Sequence, residues 1–171
     1  MTGTHKLTFS AHGDREIRMV RKFNASAELV WQALTVPDLV KRWMSGMPGW
    51  ELAICDIDLV VGGRYRYLWR CLPGGSHPGM EMGMGGAYLE IERPIRLVHT
   101  ERFDQAWYPG EAVITTDLTE HGGVTTMTAT IKYESREARD GVLASPAESG
   151  VAMSYDRLEA LLASQTSATG S

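Results

Sequence analysis

The sequence predicts an α+β domain: a curved antiparallel β-sheet wrapped around one long C-terminal helix, with two short helices after the first strand. Three observations carry that prediction. The stretch 55–71, CDIDLVVGGRYRYLWRC, folds about Gly63 into a hairpin with an apolar, aromatic wall and a charged wall. Alternating segments follow one another from residue 51 to 133 with no long helix between them. The sequence S-P-A-E at 145–148 then opens a run with Val151, Tyr155, Leu158 and Leu162 at helical spacing. A sheet of that size has an apolar face to cover, and only the last helix is long enough to cover it.

Taken in order, residues 1–14 show no period and are expected to be loose. Residues 16–23 alternate, with Ile17, Met19 and Phe23 on one face, and read as the first strand. Arg21 interrupts that apolar face. Ser26 is placed to cap a short helix with Glu28 in its first turn. Val30, Ala33 and Leu34 form the buried stripe of this helix, with Trp31 at its edge. Pro37 starts a second short helix that ends near Trp43.

In the hairpin, folding about Gly63 sets Cys55 opposite Cys71 and Ile57 opposite Trp69. The cysteines are read as two reduced thiols packed as small apolar groups. A Gly- and Met-rich loop spans 73–83, and strands are expected near 84–92 and 97–103. Trp107 and Tyr108 fall in a loop, where they are placed to cover a cavity mouth or to meet a second subunit in a homodimer. Taking Gly122 and Gly123 as a two-residue turn puts Ile114, Thr116 and Leu118 opposite Ile131, Ala129 and Met127. Ser135 caps a short helix, the long helix follows, and 164–171 is expected to be a disordered tail. The folded unit is thus a single domain over 15–163.

Composition excludes several function classes. The chain has 171 residues, 43% apolar, 22% charged, with a net charge of −4, which does not suit a nucleic-acid binder. No apolar run approaches membrane-spanning length, and the N-terminus lacks the apolar region of a signal peptide, so a cytoplasmic protein is expected. The five histidines are scattered, and no metal-ligand spacing occurs, so neither a metal nor a cofactor is expected. Nucleophile elbows, phosphate loops and dinucleotide fingerprints are absent as well.

Five segments together resemble the SRPBCC, or START-like, superfamily, and within it the domain of the activator of heat shock protein 90 ATPase in its bacterial single-domain form. They are VRKFNASAELVWQALT at 20–35, DLVVGGRYRY at 58–67, GGAYLEIERP at 85–94, RLVHTERF at 96–103 and SYDRLEALL at 154–162. The resemblance implies the helix-grip fold and a cavity for a small hydrophobic ligand. It also leaves open an enzyme of the cyclase or hydrolase sort, or a co-chaperone-like module that binds a regulator. The chain departs from the family at Ser26, where proline is frequent, and at Glu101, where tryptophan is frequent.

The candidate site follows from both readings. Tyr65, Tyr67 and Trp69 form an aromatic wall that either lines a pocket or fills the core. Arg21, Glu90, His99 and Glu101 are charged or titratable positions on strands. They either pair inside the cavity, as an anchor for a polar ligand group or an acid–base set, or lie on the solvated face. Glu90, His99 and Glu101 are the catalytic candidates. The full ligand-binding set is Arg21, Trp43, Tyr65, Tyr67, Trp69, Met84, Tyr88, His99, Glu101, Trp107, Met127, Ile131 and Tyr155. The expected partner is a small apolar or amphipathic molecule.

Overall fold

The computed structural model describes residues 5–169, with side chains to residue 165. Eight strands form one antiparallel sheet: β1 (Thr8–His12), β2 (Glu16–Phe23), β3 (Trp50–Ile57), β4 (Arg64–Cys71), β5 (Glu81–Glu92), β6 (Arg96–Phe103), β7 (Ala112–His121) and β8 (Val124–Lys132). Their spatial order is β1-β2-β8-β7-β6-β5-β4-β3. Four helices complete the fold: α1 (Ala27–Thr35), α2 (Pro37–Trp43), α3 (Arg136–Leu143) and α4 (Ala147–Thr169). The sheet curves around α4, as the sequence predicts. At 1.5 Å per residue, the 23 residues of α4 give a rod of about 35 Å.

The local signals act as read in most places. Leu29 N donates to Ser26 Oγ at 3.2 Å, and Pro37 occupies the first turn of α2. Ala138 N donates to Ser135 Oγ at 3.0 Å at the start of α3. The β7–β8 hairpin turns at Gly122 and Gly123, both at positive φ, and its register pairs Ile114 with Ile131 and Leu118 with Met127.

Elsewhere the structure corrects the sequence reading. Residues 8–12, expected to be loose, pair with β2, with Phe9 opposite Met19. Their weak alternation carries no strand signal, but an unpaired edge of β2 supplies the partner. At the other end α4 continues through the expected tail to Thr169. The loose ends expected at 1–4 and 170–171 lie outside the described residues. Trp31, placed at the edge of α1, is fully buried because α2, α4 and the β7–β8 end of the sheet all pack on that helix. β5 begins at Glu81 rather than near Met84.

The β3–β4 hairpin differs in register by four residues. Cys55 pairs with Tyr67 and Ile57 with Tyr65, while Cys71 sits opposite Trp50. The chain does not turn tightly at Gly63. It forms a longer loop in which Asp58 N donates to Arg64 O and Gly63 N to Val60 O. An even shift preserves facing, so Tyr65 and Tyr67 still point inward. Both cysteines are free and buried, far apart along the hairpin.

Two buried clusters result. One gathers Phe23, Val30, Trp31, Tyr65, Tyr88 and Leu158 beneath α1, α2 and α4. The other gathers Ile17, Tyr108, Ala112, Tyr133 and Val142 beneath α3. Between them the sheet and the first half of α4 do not meet.

Candidate functional site: a cavity under the C-terminal helix

That gap is a cavity of about 430 Å³. β4, β5 and β6 supply Tyr65, Tyr67, Trp69, Met84, Tyr88, His99 and Glu101 to its wall, β8 supplies Met127 and Ile131, and the helices supply Trp43 and Tyr155. Strand alternation explains the grouping, since every second residue of a strand faces the same side. The exposed lining residues mark the mouth. Met47 (59% exposed), Trp107 (47%) and Met153 (38%) stand there, from the α2–β3 loop, the β6–β7 loop and the first turns of α4.

The inner wall is tied by hydrogen bonds. The Tyr65 hydroxyl donates to Thr100 O at 2.5 Å, and His99 Nδ1 lies 3.2 Å from the same hydroxyl oxygen. A phenol has one proton, already given to Thr100, so Nδ1–H is the donor in the second contact. Burial lowers the His99 pKa from 6.5 to about 4 against the opposing backbone bond to Thr100, which keeps the ring neutral near pH 7 and leaves Nε2 as an acceptor. Tyr65 packs 5.1 Å from Tyr67, 5.5 Å from Tyr88 and 5.2 Å from His99, ring centre to ring centre.

Glu101 is the one carboxyl among the lining residues. Removal from bulk water raises its pKa to about 7, while a hydrogen bond from the Tyr108 hydroxyl to Oε1 (2.9 Å) pulls it back down. Tyr108 in turn packs edge-on against Tyr133, with centroids 5.1 Å apart. The group is therefore poised between its two protonation states near neutral pH.

Two residues of the expected set lie elsewhere. Arg21 is 2% exposed but does not line the cavity; its Nη2 lies 2.9 Å from Asp156 and 3.5 Å from Glu159 on α4, and it covers the Phe23 ring. Glu90 is exposed and pairs with Arg96 at 3.4 Å. A register shift between Tyr88 and Glu90 is the cause: the bulge there adds a residue and turns the following side chains over. The expected charged cluster is thus divided, with His99 and Glu101 in the cavity, Arg21 under α4 and Glu90 outside.

Sequence reading missed Tyr133 and Tyr108. Tyr133 was within reach, since it continues the inward series Met127, Ala129, Ile131 by twos. Tyr108, placed with Trp107 as an exposed contact, is 5% exposed and turns inward to Glu101, while Trp107 alone stays at the surface. No local pattern in its loop signals this. Among the described residues no group of His, Cys, Asp or Glu is arranged to hold a metal ion, and no helix is long and apolar enough to cross a membrane.

A curved sheet, a gripped C-terminal helix and a cavity between them define a helix-grip protein of the START-like, SRPBCC type. The chain belongs to the Activator of Hsp90 ATPase homolog 1-like family, whose model matches residues 24–163. A crystal structure of a Rhodobacter sphaeroides protein is similar to it at 29% identity and a TM-score of 0.85, over 93% of this chain and 99% of that one. A Nitrosomonas europaea protein shares the fold at 21% identity and a TM-score of 0.76, covering 91% of this chain and 99% of its own. The solution structure of an AHSA1-like protein from Aeromonas hydrophila shares it at 21% identity and a TM-score of 0.63, covering 84% and 92%. No curated protein matches the sequence.

Proposed function

We propose that this protein binds a small, largely apolar molecule in the central cavity, with a polar end of that molecule meeting Glu101. The observation that carries this reading is a hollow of about 430 Å³ walled by tyrosine, tryptophan and methionine and containing a single carboxyl. That volume is in the range of small-molecule sites, which pair an apolar wall with a few placed polar groups. The hollow also supports a binder over a module that acts only through its outer surface.

Titration with the neutral fluorophore N-phenyl-1-naphthylamine tests the reading. Saturable binding is expected, and it should be lost in Ala129→Phe, which fills the cavity from β8, with the circular dichroism spectrum unchanged. Absence of saturation, or uptake that the filled variant retains, would sink it.

A second reading, acid–base catalysis in the cavity, has one observation behind it. Glu101 lines the cavity, and burial raises its pKa to about 7, where a carboxyl both accepts and returns a proton. The other two candidates do not join it: His99 stays neutral down to about 4, and Glu90 is outside. Turnover that Glu101→Gln abolishes while leaving fluorophore binding intact would favour this second reading.

A further inference from the structure

The cavity wall has a one-sided charge pattern. No lysine or arginine lines it, and its titratable members besides the tyrosines are His99 and Glu101. Desolvation keeps His99 neutral near pH 7. Glu101 Oε1 accepts the Tyr108 hydroxyl, and a carboxylate has lone pairs to spare on its second oxygen. Two arginines of the surrounding elements are turned to other partners. Arg21 lies against Asp156 and Glu159, and Arg157 donates to Gly46 O at 2.6 Å.

Tyr65, Tyr67 and Tyr133 line the same cavity, and the charge of Glu101 raises the pKa of each of their hydroxyls. Ring faces carry the negative end of the π quadrupole and attract cations, as in sites for quaternary ammonium groups. A carboxylate buried without a counter-charge is unfavourable, and a cationic guest supplies the missing partner. An anionic head group meets the opposite situation: it would enter a wall with no cation and face Glu101.

We infer that the cavity selects an amphiphile with a positive head, an organic ammonium on an apolar body, seated with its head between Glu101 and the tyrosine rings. This inference rests on the ligand-binding reading above and narrows it to one chemical class. The tyrosines and Glu101 form the head-group end, and the methionine and aliphatic wall of Met84, Met127 and Ile131 takes the body.

Isothermal titration calorimetry with three probes of one chain length tests it: octyltrimethylammonium, octanoate and 1-octanol at pH 7.5. The quaternary head has no N–H to donate, so its preference over octanol reports charge alone. The intact protein is expected to bind octyltrimethylammonium about tenfold or more tighter than either other probe. Glu101→Gln, which keeps the acceptor for Tyr108, should erase that preference. Octanol binding with no preference for the ammonium overturns the charge inference and leaves the binding reading standing. So does a preference that survives Glu101→Gln. Binding of none of the three probes removes both. The comparison on the unaltered chain stands whether or not the variant folds.

Discussion

The Tyr108 hydroxyl donates to Glu101 Oε1 across 2.9 Å, so a residue from the β6–β7 loop fixes the carboxyl in the cavity wall. The two residues are seven apart in sequence, and Tyr133, just after β8, packs edge-on against the tyrosine. The same loop carries Trp107 at the mouth, which links access to the cavity with the orientation of its charged group.

Glu101 should make the empty protein less stable as pH rises. Its folded pKa of about 7 lies above the ordinary 4.5, so between those values the native state holds more protons than the unfolded chain. Stability contributed by the protonated form is complete below 4.5 and is lost as pH rises through 7. The groups acting there are Tyr65, Tyr67, Tyr108 and Tyr133, with neutral His99 on the same strand. Glu101→Gln should therefore melt above the parent at pH 8 and close to it at pH 4.5. Thermal melts of both proteins at the two pH values check the sign.

His99 acts in the opposite direction. Its folded pKa is lowered to about 4 from 6.5, so the unfolded chain binds the extra proton first on acidification. Its contribution is present above 6.5 and lost as pH falls toward 4. In a proton NMR titration the His99 ring signals should show no midpoint near 6.5. A midpoint there would show the ring in contact with water rather than desolvated in the wall.

Arg21 is a buried cation whose partners on α4 are partly solvated; Asp156 is 64% exposed. Removing the charge and removing its partners should differ. Arg21→Met, which keeps much of the packing against Phe23, is expected to lie within about 1 kcal/mol of the parent. Asp156→Asn with Glu159→Gln leaves the guanidinium buried without a counter-charge and should cost about 3 kcal/mol. Urea denaturation of the two variants makes the comparison.

Gly86 leaves no room for a side chain between β5 and β6 beside the tyrosines: a Cβ there would clash with the Thr100 carbonyl oxygen, which accepts the Tyr65 hydroxyl. Ala87 N donates to Thr100 Oγ1 at 2.9 Å, which holds the strands at that spacing. Gly86→Ala should cost about 2–3 kcal/mol in urea denaturation and weaken fluorophore binding together with stability.

How far the sequence could be read depends on the range of each determinant. The β7–β8 register was legible to the residue because a Gly-Gly turn fixes it locally. The β3–β4 register was not, because a loop over 58–63 held by backbone bonds resembles a tight glycine turn in sequence; its parity survived only because the shift is even. Tyr65, Tyr67, Met84, Tyr88, Met127 and Ile131 were all placed in the wall by alternation. Glu90, open in sequence between the cavity and the solvated face, is turned outward by a bulge that leaves no mark in the residues themselves. Arg21 found partners on α4, at the far end of the chain, where no local pattern reaches. Glu101 stood out as an unusual residue for its position, but the tyrosine that holds it came from a loop without periodicity.

The last helix is fastened unevenly. Leu158, Leu161 and Leu162 bolt down its later turns, whereas Gly150, Met153 and Ser154 lie over the cavity. It behaves as a beam clamped at one end, with a glycine in the free span, and the entrance opens beside that span. Backbone amides over 147–154 should exchange with deuterium faster than those over 155–162, and a lodged guest should slow the former by propping the beam from below.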